Sequence, residues 1–493
     1  MTGLDRRSFL KCSAAGTLGF LAGAWARSAG AKEKEAPPAR TNFVFILVDD
    51  LGWRDVGCFG STFYETPNID RLARQGMRFT DAYAACPVCS PTRASIMTGK
   101  YPARLHLTDY LVGQRWPKDS PIVNIPDWQK FLPLEEGTIA EALKESGYAT
   151  FFAGKWHLGP EGFWPENQGF DVNKGGGAAG GPYGGKKYFS PYGNPRLEDG
   201  PDGEHLPLRL GRETADFIEA HMDGPFLAYL AFYSVHTPLM TTKDLGAKYE
   251  AKQKNAPATA WGQEGERKVR LVQNHAVYAG MVEAMDTAVG IVLDRLDRLG
   301  LAGNTAVFFM SDNGGLSTSE GWPTANVPLR AGKGWLYEGG VREPMIVRAP
   351  GVTRPGSTCT EPVISTDFYP TMLELAGLPL RPNQHVDGTS FVSLLEGGKM
   401  TRGPIYWHYP HYGNQGGAPG GAVRDGDWKL IEWYEDGRVE LYNLKEDLGE
   451  KKDLAAAMPE KACELQKMLA DWRRSVGAQM PARKEPTGPG GKG

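Results

Sequence analysis

Two cysteines stand three apart in CPVCSPTR, Cys86 and Cys89, and the second opens a segment that carries Pro91 and Arg93. A C-x-x-C pair ordinarily serves thiol–disulfide exchange or half of a structural zinc site. Zinc needs a second such pair or an H-x-x-x-H partner, and the chain has neither. A thioredoxin-like pair needs a helix starting after its first cysteine, within a particular βαβ order; here Pro91 falls inside that turn. Other polar residues with chemical potential cluster at the ends of apolar runs. Asp49 and Asp50 close NFVFILV, Lys155 and His157 follow ATFFAG, His236 ends PFLAYLAFYSVH, and Asp312 and Asn313 end TAVFFMS. Asp49, Asp50, Asp312 and Asn313 are hard oxygen donors with no His or Cys among them, a set suited to Ca²⁺ or Mg²⁺ rather than zinc. Any one such pair is ordinarily a turn or a helix cap. Their joint occurrence at strand ends, where successive residues can converge, favours the metal.

The runs that carry these residues alternate with helical patterns. NFVFILV is a continuous apolar strand of the kind found in the middle of a parallel sheet. TPNIDRLARQGMRFTDAYA has helical spacing of Ile69, Leu72 and Met77 after a Thr-Pro start. TIAEALKESG reads as a helix closed by Gly147, and VYAGMVEAMDTAVGIVLDRLDRLG as a long helix; PFLAYLAFYSVH, TAVFFMS and EPMIVRAPG read as strands. Alternating helix and strand predicts an α/β fold with a large, mostly parallel sheet flanked by helices. Open sheets of this kind place ligands beyond the C-terminal ends of their strands. From about residue 380 the character changes. PIYWHYPHYG, GGAVRDGDWKLIEW and GRVELYNL read as short strands with Gly/Asp turns, and MPEKACELQKMLADWRRSVG as an amphipathic helix. This predicts a smaller α+β C-terminal domain containing an antiparallel sheet. GGPYGGKK, Gly180 to Lys187, nearly matches a phosphate loop, but Lys187 stands where a hydroxyl belongs and no strand precedes it, so it reads as a surface or active-site loop.

The 493 residues are 41% hydrophobic with a formal charge of −3, enough for a large core and without the global basic field that draws proteins to nucleic acid. Six cysteines are too few for a disulfide scaffold. The first residues carry Arg6, Arg7, Ser8, Phe9 and Leu10 ahead of a short apolar stretch and Ala29-Gly30-Ala31, and resemble a bacterial twin-arginine export signal. The expected organisation is a signal at 1–31, a linker at 32–40, a catalytic domain at 41–379, the C-terminal domain at 380–480 and a disordered tail at 481–493. With no later uninterrupted apolar run of ~18 residues, no stable membrane insertion is expected after signal cleavage. The expected location is periplasmic or secreted, with the twin-arginine translocase as a partner.

CSPTRASIMTGKYPAR contains C-x-P-x-R followed by a Thr-Gly pair, and VDDLGW, GKWHLG, SVHTPL, SDNGG and AGKGWLYEGGVREP match the same family's blocks in order. The chain from residue 41 to about 475 thereby resembles the type I, formylglycine-dependent sulfatases, arylsulfatase-like members of the alkaline phosphatase superfamily. The resemblance implies an alkaline phosphatase-like fold and conversion of Cys89 to Cα-formylglycine by a separate maturation enzyme that reads C-x-P-x-R, with Cys86 incidental. A thiolate or hydroxyl that attacked sulfur would leave an adduct with no internal means of release. A hydrated aldehyde has two hydroxyls on one carbon: one attacks, and deprotonating the other expels sulfate. The resemblance also implies Ca²⁺, with Mg²⁺ as the alternative, on Asp49, Asp50, Asp312 and Asn313, with residue 89 as a further ligand. By matching position, Arg93 and Lys155 hold residue 89 and its charge, His157 accepts the second hydroxyl's proton, Lys333 binds sulfate oxygens and His236 protonates the leaving alcohol. Histidine is the right type for both proton roles.

The expected activity is hydrolysis of a sulfate monoester, on a sulfated carbohydrate or an aryl sulfate, the carbohydrate being favoured. The alternatives are a phosphonate monoester or phosphodiester hydrolase on the same machinery, and a non-catalytic sulfated-glycan-binding protein. Specificity is expected in loops 102–135, 174–190 and 408–422. His408 and His411, in the aromatic YWHYPHY, are candidates to approach a sugar; the more ordinary role of such a stretch is strand packing.

Overall fold

In the run NFVFILV every residue is buried, and successive side chains leave a strand on opposite faces. Val44, Ile46 and Val48 enter one hydrophobic cluster; Phe43, Phe45 and Leu47 enter another on the far side. The strand Asn42–Val48 is therefore covered on both faces, and it sits mid-sheet between Thr305–Ser311 and Phe226–Ala231, parallel to both. The computed structural model describes residues 40–111, 123–184 and 188–484. Among these, a nine-stranded sheet runs in the order Ser357–Cys359, Met77–Tyr83, Arg342–Arg348, Thr305–Ser311, Asn42–Val48, Phe226–Ala231, Ala149–Gly154, Val172–Lys174, with Val363–Ile364 also paired to Met77–Tyr83. Helices Leu206–Ala220 and Ala276–Arg298 cover the first face through Phe217, Ile218, Met281, Met285 and Val289. The second face is covered by Ile139–Lys144, Phe368–Leu375 and the apolar side of Cys89–Thr98.

Two local readings need correction. Met77 begins a strand rather than continuing a helix: the helix Pro67–Gln75 ends before Gly76, and Met77–Tyr83 alternates buried and half-buried over its first half. The strand leading toward His236 stops at Ala231, so His236 stands on the loop beyond it. Arg342–Arg348 is antiparallel to both of its neighbours, and the sheet is mostly parallel, as expected.

Beyond this sheet in the chain lies a four-stranded antiparallel one, ordered Ile405–Tyr409, Gly420–Asp425, Trp428–Trp433, Val439–Asn443, with Leu465 and Leu469 of the helix Pro459–Ser475 in its core. It is tied to the large sheet by buried charges. Lys429 Nζ lies 2.8 Å from Glu338 and 3.0 Å from Glu450, all three side chains at 0% exposure. Arg342 reaches Glu338 at 3.1 Å, Arg424 reaches Asp81 at 2.8 Å, and the Tyr83 hydroxyl donates to Glu338 at 2.7 Å. The readings for 1–31 and most of 32–40 lie outside the described residues. Part of the expected tail does not: Ala482–Arg483 pair antiparallel with Val123–Asn124, so backbone pairing extends the ordered chain past residue 480.

Candidate active site

The parallel strands deliver their polar residues to one end of the sheet. Asp49 and Asp50 follow Val48, Lys155 follows Gly154, and Asp312 and Asn313 follow Ser311. Backbone bonds hold the ends in register: Asp312 N–H donates to the Val48 carbonyl at 3.0 Å, Asp49 N–H to Ser234 at 3.0 Å and Lys155 N–H to Ala231 at 2.8 Å. Asp50 and His157 have left-handed backbones, φ 61° and 57°, a strained state for side-chain-bearing residues that fixed surroundings must maintain. Asp55, which sequence reasoning passed over, supplies some of that fixing. Its buried carboxylate accepts from Gly52 N–H at 2.9 Å, Thr324 and Tyr278 hydroxyls at 2.6 Å and Gln273 at 2.7 Å.

Cys89 is the first residue of the helix Cys89–Thr98, all ten residues of which are buried. Pro91 stands in its first turn, where the missing N–H costs no helical bond, so it does not oppose a helix start as its position in the sequence implied. Residue 89 thus sits at the positive end of a helix dipole, a place suited to anions. Its Sγ lies 3.4 Å from His157 Nδ1, and His157 Nε2 lies 2.7 Å from the Leu111 carbonyl. A carbonyl can only accept, so Nε2 carries the proton and Nδ1 presents its lone pair to residue 89. Burial, reinforced by Lys155, holds the His157 imidazole well below its ordinary range, which keeps it neutral and basic in form. Burial likewise pushes the Cys89 thiol up.

The charged groups interlock. Lys155 Nζ pairs with Asp49 at 2.7 Å and Lys333 Nζ with Asp50 at 2.7 Å. Arg93 bonds Asp312 through Nε at 2.8 Å and the Lys155 carbonyl at 2.6 Å, and comes within 4.0 Å of Asp49. Asn313 donates to Asp50 at 2.8 Å, and His236 Nε2 lies 3.7 Å from Asp50. Burial pushes the Asp49 carboxyl up to about 6. Burial opposes ionisation of Asp50 too, but Lys333, His236 and Lys155 hold that carboxyl well below the usual range. Oxygens of Asp49, Asp50 and Asp312 lie within 4.8 Å of one another, and buried Asp49 Oδ1 and Asn313 Oδ1 have no hydrogen-bond partner among the described residues. Clustered, unsatisfied oxygen donors without nitrogen or sulfur among them fit a hard divalent cation.

All ten positions named from the sequence, Asp49, Asp50, Cys89, Arg93, Lys155, His157, His236, Asp312, Asn313 and Lys333, therefore meet at one place. They adjoin a cleft of about 450 Å³ lined by Cys89, His157, His236 and Lys333 together with Tyr110, Gly180, Gly181, Glu320, Asn414 and Gln415. A larger cleft of about 560 Å³, lined by Arg54, Phe63 and Lys252 among others, contains none of the ten. Gly180 belongs to the false phosphate loop, and its role is spatial: a Cβ there would lie 2.6 Å from His157 Cε1. Tyr110, Asn414 and Gln415 fall in loops expected to set specificity. Glu320 was missed, because a glutamate in a polar turn carries no signal of its own. Among the described residues Cys86 is an unpaired, buried core cysteine.

His408 and His411 do not approach the cleft. His408 is fixed between the Tyr434 hydroxyl at 2.7 Å and the Gln479 carbonyl at 2.9 Å, and buried His411 lies 2.8 Å from the Thr108 hydroxyl. Packing won over binding. Burial lowers His408 from 6.5 to about 4, so its contribution to stability is complete above pH 6.5 and is lost as pH falls toward 4. In His408→Gln the loss of stability over that window is expected to be shallower than in the parent by up to about 1.4 kcal/mol per pH unit, read from urea unfolding at a series of pH values.

A hydrolase of mixed α/β fold with a hard-cation site, a buried neutral histidine base and a cationic pocket at its strand ends is the class that this geometry defines. Residues 41–378 match the family model Sulfatase, and residues 331–475 match N-sulphoglucosamine sulphohydrolase, C-terminal. A sulfatase of Formosa agariphila is 34% identical over 87% of each chain. The N-acetylgalactosamine-6-sulfatase of Canis lupus familiaris is 32% identical over 77% of this chain and 70% of its own. The crystal structure of Ps i-CgsB in complex with k-i-k-neocarrahexaose superposes with a TM-score of 0.73 at 30% identity, covering 91% of this chain and 95% of that one. The chain belongs to the sulfatase family of the alkaline phosphatase superfamily and is a sulfuric ester hydrolase.

Proposed function

We propose that the protein hydrolyses a sulfate monoester on a sulfated carbohydrate, with residue 89 converted to Cα-formylglycine and Ca²⁺ held by Asp49, Asp50, Asp312 and Asn313. The observation that carries the reading is the hydrogen-bond chain Leu111 carbonyl to His157 to residue 89, with distances of 2.7 and 3.4 Å. It aims a neutral base at the one side chain placed to act as nucleophile. The carbohydrate rests on the relatives, one named for N-acetylgalactosamine-6-sulfate chemistry and one crystallised with a neocarrahexaose.

Once in place, the hydrated aldehyde and the cation supply a nucleophilic hydroxyl with a built-in release step and a centre that draws in sulfate oxygens. The chain's own groups do the rest. His157 Nδ1 takes a proton from residue 89. Lys333, whose ammonium is held well above its ordinary range by Asp50 and Glu320 against the effect of burial, stays charged and gathers sulfate oxygens. Arg93 locks Asp312 and the Lys155 carbonyl in place. His236 donates from Nδ1 to the Thr237 carbonyl at 2.8 Å, so as an imidazolium it delivers its second proton, from Nε2, to the leaving alcohol.

The test uses protein co-produced with a formylglycine-generating enzyme, conversion at residue 89 being verified by peptide mass. It is expected to release sulfate from 4-nitrophenyl sulfate and from members of a panel of defined sulfated mono- and disaccharides, and to lose this activity on chelation and regain it with Ca²⁺. Faster hydrolysis of 4-nitrophenyl phosphate or of a phosphonate monoester than of any sulfate would refute the reading. So would glycan binding without sulfate release.

A further inference from the structure

We propose that Glu320 sets the substrate range of the cleft: it accepts hydrogen bonds from free hydroxyls of the sugar beside the sulfate under attack, and it refuses a unit carrying a second sulfate there. The proposal rests on the sulfated-carbohydrate reading above and adds to it the sulfation state of the unit that enters.

Glu320 shares the cleft with Cys89, His236 and Lys333. Its own backbone is left-handed at φ 52°, and Gly321 and Trp322 after it are left-handed too, at 90° and 46°. Side-chain-bearing residues hold that state only where their surroundings impose it, and such positions gather at ligand sites. Here the restraints are hydrogen bonds. Trp322 N–H donates to the Ser319 carbonyl at 2.9 Å, and its indole N–H to the Lys268 carbonyl at 2.8 Å.

The carboxylate is aimed as well as held. Oε1 accepts from Asn414 Nδ2 at 2.9 Å and from Gln415 Nε2 at 2.7 Å. Both donors come from the 408–422 loop and themselves line the cleft. Two amide donors on one oxygen fix the orientation of the carboxylate, and among the described residues no hydrogen bond engages Oε2.

A cleft built to bind sulfate thus carries an oriented negative charge on its wall. A sugar hydroxyl placed there gains a charge-assisted acceptor. A second sulfate meets like charge in a confined site, where repulsion discriminates strongly. Lys333, the cation in the same cleft, is itself paired with Asp50 at 2.7 Å and offsets the charge of Glu320 only in part.

The experiment compares kcat/KM of the converted enzyme for sugars sulfated once and for the same sugars carrying a second sulfate at each neighbouring hydroxyl. The parent is expected to prefer the singly sulfated member, and Glu320→Gln to shift the ratio toward the doubly sulfated one by about tenfold or more at one position. The ratio is internal to each sample, so a lowered active fraction cancels. A Glu320→Gln ratio within twofold of the parent at every position overturns the proposal while leaving the carbohydrate reading standing. A parent that cleaves 4-nitrophenyl sulfate but none of the sugars sinks that reading, and this proposal with it.

Discussion

Cys89→Ala is expected to lower turnover of 4-nitrophenyl sulfate by on the order of 10⁶-fold, the loss seen when a catalytic nucleophile is removed outright, with an unchanged far-ultraviolet spectrum. The helix Cys89–Thr98 is anchored by its buried neighbours and by the Thr92 hydroxyl bond to the Cys86 carbonyl at 3.0 Å, none of which needs the sulfur. Cys89→Ser is the more informative companion. It offers one hydroxyl next to His157 where two are required, so it is expected to show no sustained turnover. Cys86→Ala, which alters only a packed side chain, is expected to stay within a few-fold of the parent. Retention of a tenth or more of parental turnover in Cys89→Ala would place the nucleophile elsewhere.

The second large effect is on stability. Lys429→Met is expected to cost about 3–5 kcal/mol in urea unfolding monitored by tryptophan fluorescence, because it leaves buried carboxylates without their cation. Glu338 keeps Arg342 and the Tyr83 hydroxyl, at 3.1 and 2.7 Å, whereas the Glu450 carboxylate keeps, among the described residues, only the Glu338 N–H, at 2.6 Å. Burial already pushes the Glu450 carboxyl up to about 7. Glu450 is therefore the group that suffers, and adding Glu450→Gln to Lys429→Met is expected to restore more than half of the loss. If the double variant is no more stable than the single one, the charge account of this interface is wrong.

Most of the site was legible in the sequence because its chemistry is tied to strand ends. Apolar runs as short, unbroken and rich in β-branched and aromatic residues as NFVFILV and TAVFFMS read as central strands, and residues just past the C-terminal end of a central parallel strand face the ligand end of the sheet. That logic placed Asp49, Asp50, Lys155, Asp312 and Asn313 without coordinates. Family blocks added Arg93 and Lys333, which lie on a helix and on a loop where periodicity is silent, and the roles of His157 and His236. Met77 was misread because a helix and a strand separated by one glycine leave apolar residues at spacings that fit either element. The antiparallel run of Arg342–Arg348 was invisible, since direction depends on the path of the connecting chain and not on composition. Glu320 and Asp55 were missed for a different reason. Their importance comes from partners more than ninety residues away, Asn414 and Gln415 in one case and Gln273, Tyr278 and Thr324 in the other.

The wall formed by Asn414 and Gln415 belongs to the connection between Ile405–Tyr409 and Gly420–Asp425, far along the chain from the strand ends that perform the reaction. One part of the cleft wall is thereby entrusted to a stretch of the gene separate from the bond-breaking residues. Divergence in a dozen codons around position 414 could redirect the enzyme to a new polymer without disturbing a single reacting atom, and the same stretch is where a designer seeking an altered preference would begin.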